Sequence, residues 1–152
     1  MVPMLPTLFL DVDGVLIERG PTGDRLHADA MGFLAFVTAR FEVAWATTHC
    51  RHGDAGHVLA YLDEHAAPAE RDELARLAAR VRPTRYRTLK TELFLDGACA
   101  DWLWIEDAPL AFELDQLRER GLRDHWLQVD VNRRPDDLRE ARRRLERLVQ
   151  TR

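Results

Sequence analysis

The chain has 152 residues, of which 46% are apolar, enough for one hydrophobic core and too few for two ordinary domains. Its formal net charge of -4 gives no global attraction to nucleic acid or to an anionic membrane surface, so a polyanionic substrate would have to be held locally. The apolar N-terminal stretch lacks a basic segment and is interrupted by Pro6 and Asp11. We therefore expect a single cytoplasmic domain over residues 1–152 that has no membrane partner.

Extended and helical patterns alternate through the first half of the chain. An apolar run that ends in acid predicts a first buried strand, and a Gly-Pro-Thr-Gly turn within the next segment predicts a hairpin flap. Apolar residues at helical spacing follow. The predicted elements are a strand at 7–12, the flap at 15–27, a helix at 28–40, a strand at 41–46, helices at 55–65 and after Pro68, and a short third strand at 84–87.

The second half continues the alternation, and Pro109 and Pro135 stand at first-turn positions that suit proline. Its predicted elements are a helix at 90–100, a strand at 101–105, a helix at 110–120, a strand at 125–131 and a last helix from Pro135. Strands joined by helices imply right-handed crossovers and a sheet covered on both faces. The prediction is a doubly wound, Rossmann-like α/β domain with a mainly parallel sheet of five strands.

Acidic and hydroxyl side chains stand at the predicted carboxyl ends of three strands, where parallel α/β sheets bind ligands. They are Asp11, Asp13, Thr47, Glu106 and Asp107. The chain turns at Gly14, so Asp11 and Asp13 can approach one cation, and Asp107 from another strand can add oxygen. This pattern indicates an incompletely filled Mg2+ site that would accept a phosphate oxygen.

Phosphoryl transfer needs a positioned nucleophile and neutralisation of the transferring oxygens. Asp11 is placed to attack phosphorus, and Asp13 to protonate the leaving oxygen and then activate water. Thr47, with Thr48 beside it, and the Lys90 ammonium are candidates to hold the phosphate. Lys90 is the one lysine beside 21 arginines, which favours a role that arginine does not fill over a solvated surface charge.

The succession LFLDVDGVL, EVAWATT, Lys90 and WLWIEDAP resembles the four motifs of the haloacid dehalogenase (HAD) superfamily, from Leu8 to about Asp130. These motif sequences are also similar to those of small actinobacterial HAD proteins related to HAD domains of RNA-repair proteins. The resemblance implies a Mg2+-dependent phosphatase that forms an aspartyl-phosphate on its nucleophile. It assigns Asp11 as nucleophile and metal ligand, Asp13 as general acid/base and ligand through its carbonyl, Thr47 and Lys90 to phosphate, and Asp107 to the metal.

The chain departs from the family pattern in two places. The fourth motif commonly has two aspartates and here reads Glu106-Asp107, which leaves Glu106 as either a residue behind the metal ligands, such as a partner of Lys90, or a surface acid. After the threonines the small relatives tend to have Trp and acidic residues where this chain has His49-Cys50-Arg51-His52. The side chains of His49, Arg51 and His52 either touch the substrate or begin a solvated helix.

The intervals between the motifs are too short for a cap domain, so the resemblance implies an open site. Capless members of the superfamily often act on proteins or nucleic-acid ends, and either is a candidate substrate here, as is a small phosphate ester if a partner subunit covers the opening. The flap is the expected seat of specificity, with Arg19 and Arg25 as candidate substrate contacts. Arginines between 133 and 147 alternate with acids, which favours a solvated helix face over a nucleic-acid patch.

Three other functions use similar parts. A response-regulator receiver also combines acids, Mg2+, Thr and Lys, but its paired acids and its phosphorylated Asp lie on different strands. A dehalogenase uses the aspartate nucleophile and has no need of Asp13. A non-catalytic or regulatory module with the HAD fold would be expected to lack a motif residue, and none is missing.

Overall fold

The computed structural model describes residues 4–97 and 99–152. The strands are β1 (Thr7–Leu10), β2 (Ile17–Gly20), β3 (Gly23–Leu26), β4 (Val43–Trp45), β5 (Trp102–Glu106) and β6 (Trp126–Gln128). The α-helices are α1 (Ala30–Arg40), α2 (Gly56–His65), α3 (Arg71–Ala78), α4 (Ala111–Glu119) and α5 (Asp137–Gln150), with 3-10 turns at Pro68–Glu70, Lys90–Leu93 and Arg123–His125. The fold is therefore α/β, as the alternating pattern predicts.

The main sheet has four parallel strands in the order β4-β1-β5-β6. After β1 the chain crosses to β4 on one side, and after β5 it continues to β6 on the other. The strand order therefore reverses between β1 and β5, and in open α/β sheets the crevice at such a reversal binds ligands. Asp11 and Asp107 directly follow these two strands, so the fold brings the predicted acids to that crevice.

The sheet is covered on both faces because alternate strand residues point to opposite sides. On one face Leu8, Leu10 and Trp45 belong to a core that also takes buried residues from α1, α2, α3 and α5. On the other face Phe9 and Trp104 belong to a smaller core that includes Phe94 and Leu117, the latter from α4. The tryptophans therefore stabilise the core.

Strands β2 and β3 pair as a separate antiparallel hairpin directly after β1, in agreement with the predicted flap. The hairpin is attached to the core on two sides. The Arg19 N–H donates to Asn132 Oδ1 at 2.8 Å, and His65 Nδ1 on α2 donates to the Asp24 carbonyl at 3.1 Å.

The prediction of a short strand at 84–87, which would have completed a sheet of five strands, is wrong. In this part of the chain, Arg82 alone pairs with the edge strand β4, through two backbone hydrogen bonds to Val43 and Trp45. The ladder stops there because the next acceptor on β4, the Trp45 carbonyl, accepts the Thr84 hydroxyl at 2.6 Å in place of a backbone N–H. The chain then pairs with another loop, where Gly53 N–H donates to the Thr84 carbonyl and Tyr86 N–H donates to the Arg51 carbonyl.

The helix predicted over 90–100 is also shorter than expected. The structure forms a 3-10 turn at Lys90–Leu93, and Phe94 then leaves helical geometry to pack against Phe9, Trp102 and Trp104. Gly97 has φ +87°, in the left-handed region that glycine tolerates, and this also ends the helical path. Burial of the aromatic ring thus overrides the local helical pattern.

Within the described residues, no helix is long and apolar enough to cross a membrane.

Candidate active site

Three carboxylates from the ends of two neighbouring strands meet in the crevice. Oxygens of Asp11, Glu106 and Asp107 all lie within 4.8 Å of one another. Asp11 is 5% exposed and Glu106 is 4% exposed, whereas Asp107 is only partly buried. Packing three acids this closely is unfavourable unless cations lie between them, so the cluster identifies the position where positive charge is required.

Lys90 supplies one such charge. Its Nζ donates to Asp11 Oδ1 at 3.0 Å and to Glu106 Oε2 at 2.7 Å. Burial alone would lower the pKa of Lys90, but the two carboxylates outweigh it and raise the pKa, so the ammonium keeps its proton. Glu106 is therefore a buried partner of Lys90, and the surface-acid interpretation is wrong.

One ammonium does not balance the acids completely. Burial raises the pKa of Asp11 although Lys90 opposes it, and burial together with Asp11 raises the pKa of Glu106 well above its usual value. The Asp11–Glu106 pair therefore binds a proton more readily than exposed carboxylates do. A divalent cation beside Asp11 and Asp107 would favour the fully ionised pair.

Two further glutamates fix the short turn that carries Lys90. Glu92 accepts backbone N–H groups of Arg87, Thr88 and Leu89 at 3.1, 2.9 and 2.6 Å. Glu113, which is buried at the start of α4, accepts the Thr91 N–H at 3.3 Å and the Leu110 N–H at 3.0 Å. Glu113 thus links the turn after Lys90 to the segment that follows Asp107.

The Asp13 carboxylate is not part of the acid cluster and contacts Tyr61 on α2 and His49. Tyr61 Oη donates to Asp13 Oδ1 at 2.5 Å, and His49 Nε2 donates to Asp13 Oδ2 at 2.8 Å. The Tyr61 and His49 rings stack with centroids 3.8 Å apart. Burial and Asp13 raise the pKa of Tyr61, so its hydroxyl stays a donor. Both carboxylate oxygens of the predicted acid/base are held in one orientation.

The glycine after Asp13 makes room for the fourth motif. Gly14 has φ +76°, and a Cβ at this position would lie 2.2 Å from Asp107 Oδ2. Any side chain here would displace the carboxylate, and the positive φ would add strain. Gly14 therefore both forms the turn and lets Asp107 approach the backbone after β1.

Thr47 is 1% exposed and is the second residue after β4, at the same end of the sheet as Asp11. Its hydroxyl oxygen accepts the His49 N–H at 3.2 Å, which leaves the hydroxyl hydrogen able to donate to a phosphate oxygen. Because α2 begins only at Gly56, Thr47 is not a cap of that helix. The neighbouring Thr48 is exposed and lines two clefts beside the site.

The flap borders a cleft of about 290 Å³ in front of Asp13 and Asp107. Arg19 lines this cleft, but so do Glu18 and Asp24. Arg25 Nε donates to Glu18 Oε1 at 2.9 Å, so its charge is partly balanced within the flap. The substrate roles of Arg19 and Arg25 stay predictions.

His49, Arg51 and His52 line a second cleft of about 270 Å³ that begins at Thr48. They do not begin a helix, since α2 starts later, so that interpretation is wrong. His49 contacts Asp13, Arg51 stacks over the Tyr86 ring with Cζ 5.2 Å from its centroid, and His52 is exposed and pairs with Arg85. The segment is thus one wall of the site.

The sequence interpretation missed Tyr61, Tyr86 and Glu113. A signal for Tyr61 exists, because His57, Tyr61 and His65 recur every four residues and form an aromatic face on α2. Glu113 stands three residues after the N-cap of α4, where an acid can accept the N-cap N–H. Tyr86 follows a proline-containing loop and carries no local signal.

Comparisons with known proteins add no family assignment: no family model, no curated protein and no solved structure matches this chain.

Proposed function

We propose that the protein is a Mg2+-dependent phosphomonoester hydrolase of the HAD type, which acts through an aspartyl-phosphate on Asp11. The observation that carries the proposal is the Lys90 ammonium, which bridges buried Asp11 and Glu106 beside Asp107 at the strand-order reversal. Phosphoryl transfer uses a nucleophile, a fixed positive charge and a cation site. The Asp11 carboxylate, the Lys90 ammonium and the acid cluster can supply these three.

The residues present fit Mg2+. The donors are all oxygens, as this hard cation requires, and Asp11 with Asp107 would hold it while other positions stay open for water and substrate. The glycine at position 14 leaves space for Asp107. When bound, Mg2+ neutralises phosphate oxygens and orients the phosphate toward Asp11.

In the first half of the reaction an Asp11 oxygen attacks phosphorus, and the bond from phosphorus to the ester oxygen breaks. Asp13, oriented by Tyr61 and His49, gives a proton to the leaving oxygen. Thr47 donates to one phosphate oxygen and Lys90 to another. The products are the alcohol and a phosphorylated Asp11.

In the second half Asp13 takes a proton from water, which attacks phosphorus and releases inorganic phosphate and the free Asp11 carboxylate. Lys90 keeps its contact with Glu106 throughout, and this holds the ammonium in place while Asp11 changes charge. One proton is given and one is taken back, so the enzyme returns to its starting state.

The test is hydrolysis of p-nitrophenyl phosphate with and without Mg2+. We expect activity in the wild type only with Mg2+, and loss of turnover in Asp11→Asn with the fold kept, because an amide is a poor nucleophile. Mass spectrometry of acid-quenched wild type should find phosphate on the peptide that contains Asp11.

Activity of Asp11→Asn near the wild-type rate would sink the mechanism. A wild type that binds phosphate with Mg2+ but turns over no ester would instead identify the non-catalytic or regulatory module. Within the described residues no separate domain covers the site, and this openness favours a large substrate such as a nucleic-acid end or a protein.

A further inference from the structure

Two buried polar groups near the site lack a hydrogen-bond partner within the described residues. They are the hydroxyl of Tyr86, a residue that is 4% exposed, and Nε of Arg51. The other two such atoms are indole nitrogens of Trp45 and Trp104, inside the core. Buried donors in native proteins are nearly always paired, so Tyr86 and Arg51 can bind a partner that the described residues do not provide.

Both groups line one cleft of about 200 Å³, which also includes Thr48, Lys90 and Glu106. The cleft therefore reaches Lys90 and Glu106 of the candidate site, and it is separate from the cleft that the flap residues line. Pockets for whole drug-sized ligands are larger, about 300–1,000 Å³. The space suits one group of a substrate whose phosphate lies at Lys90.

The polar groups of this cleft that lack a hydrogen-bond partner are donors. Its acids already have partners, because Glu106 accepts from Lys90, and the two oxygens of Glu113 accept backbone N–H groups. Burial raises the pKa of Tyr86, so its hydroxyl keeps the proton and donates. The expected occupant accepts hydrogen bonds and is anionic.

Arg51 also has no carboxylate partner within the described residues, and neither do Arg85 and Arg87 on the facing loop. Arginine usage elsewhere differs: Arg134, Arg139, Arg142 and Arg143 all form ion pairs with acids in or next to α5. The arginines of the C-terminal segment thus agree with a solvated helix face, whereas those beside the site form no ion pair with an acid within the described residues.

Contacts with the facing loop hold Arg51 in place. Its NH2 group donates to the Arg87 carbonyl, and its guanidinium stacks over Tyr86. The two loops are joined by backbone hydrogen bonds of 2.9 Å (Gly53 to Thr84) and 3.0 Å (Tyr86 to Arg51). A preorganised arginine loses little freedom when it binds an oxyanion.

We propose that Arg51 and Tyr86 form a second anion subsite, which binds another phosphate of a substrate whose scissile phosphate lies at Lys90. The inference rests on the proposed function for the position of the first phosphate. Two sources share this chemistry: a small bisphosphate, and a nucleic-acid strand whose terminal phosphate is removed.

The experiment compares kcat/KM for a nucleoside 3′-monophosphate, a nucleoside 3′,5′-bisphosphate and an oligonucleotide with a 3′-phosphate end. We expect the wild type to prefer the bisphosphate over the monophosphate. Arg51→Ala should reduce that preference by roughly 10- to 100-fold, because it removes a charge-assisted hydrogen bond. Tyr86→Phe should reduce it by about 2- to 10-fold, the range for a neutral hydrogen bond.

Arg147→Ala on α5 is the matched control, and its preference should equal that of the wild type. An oligonucleotide preferred over the bisphosphate would identify a strand as the source, and equal preference would identify a small molecule. A wild type without preference, or an Arg51→Ala variant that keeps it, would overturn the subsite.

A binding measurement separates this inference from the proposed reaction. Calorimetric titration of the same nucleotides into Asp11→Asn, with and without Arg51→Ala, needs no turnover. We expect Arg51→Ala to weaken bisphosphate binding at least tenfold more than monophosphate binding. Equal weakening would contradict the subsite even if hydrolysis occurs, whereas selective weakening without hydrolysis would support it and reject the reaction.

Discussion

At the scale of single residues, the position of one ammonium decides how the acids of the site behave. Lys90 contacts Asp11 and Glu106 at the same time, so any change in its shape affects both carboxylates. A guanidinium carries the same charge in a wide planar fork and cannot occupy the same space.

We therefore expect Lys90→Arg to reduce kcat on p-nitrophenyl phosphate on the order of 100-fold, the usual effect of a misplacement of about 1 Å. Thermal unfolding should show that the variant is folded. Arg147→Ala, which alters a basic residue on α5, is the control. Wild-type turnover in Lys90→Arg would reduce Lys90 to a general positive charge.

A second residue-scale feature is the pair of hydrogen bonds that orients Asp13. Tyr61→Phe removes one of them and keeps the ring that stacks on His49. Alkyl phosphates need a proton on the leaving oxygen, whereas p-nitrophenolate leaves without one. Tyr61→Phe should therefore lower kcat for an alkyl phosphate about tenfold more than for p-nitrophenyl phosphate.

Asp63→Ala is the control for Tyr61, since Asp63 is exposed on α2 and its side chain makes no hydrogen bond to Asp13. If Tyr61→Phe lowers both rates by the same factor, Tyr61 supports the site as a whole and does not orient the acid.

At the scale of elements, the short turn at Lys90–Leu93 is held by Glu92. Three backbone N–H groups converge on its carboxylate and lower its pKa. A carboxylate whose folded-state pKa is lowered stabilises the protein at neutral pH, and this contribution disappears as the pH falls through the folded pKa.

We expect Glu92→Ala to lower the free energy of unfolding by about 1–2 kcal/mol at pH 7, because it leaves backbone donors without their acceptor. The difference between wild type and variant should shrink as the pH falls below the pKa of an ordinary glutamate. Urea unfolding at several pH values measures it. A difference that is constant with pH would show that packing, and not the charge, is responsible.

The sequence predicts those elements whose pattern agrees with their surroundings and fails where packing or backbone chemistry overrides it. The four parallel strands and the hairpin follow from apolar runs and turn residues. The strand at 84–87 does not form because the Thr84 hydroxyl takes the next carbonyl of β4, and the helix at 90–100 is cut short because Phe94 packs into the core.

The candidate site divides in the same way. Asp11, Glu106 and Asp107 are predictable because the carboxyl ends of neighbouring parallel strands meet at one edge. The contact of Tyr61 with Asp13 is less predictable from the sequence, because it depends on how α2 is rotated against the sheet. Tyr86 depends on a loop–loop pairing that no periodicity reveals.

At the scale of the whole molecule, the acid cluster lies between β1 and β5, so a cation bound there joins the two strands around which the sheet is organised. A ligand that binds only the folded state stabilises it, by about 2.7 kcal/mol at 100 times the dissociation constant. This predicts a Mg2+-dependent rise in Tm of roughly 5–10 °C for a chain of this size.

Asp107→Ala should abolish most of that rise, whereas Asp63→Ala, which removes an exposed acid of α2, should leave it intact. Differential scanning calorimetry with and without Mg2+ gives the answer without any assay of activity. The same rise in both variants would place the cation elsewhere.

The two attachments of the hairpin, from Arg19 to Asn132 and from His65 to Asp24, have a kinetic consequence. Two hydrogen bonds hold the hairpin to neighbouring segments, and we expect it to act as a stationary rim and not as a closing lid. Enzymes with mobile lids often release product at a rate set by reopening. For the proposed reaction we therefore expect that dissociation of phosphate encounters no such gate, and that the substrate itself shields the aspartyl-phosphate from water until the alcohol has left.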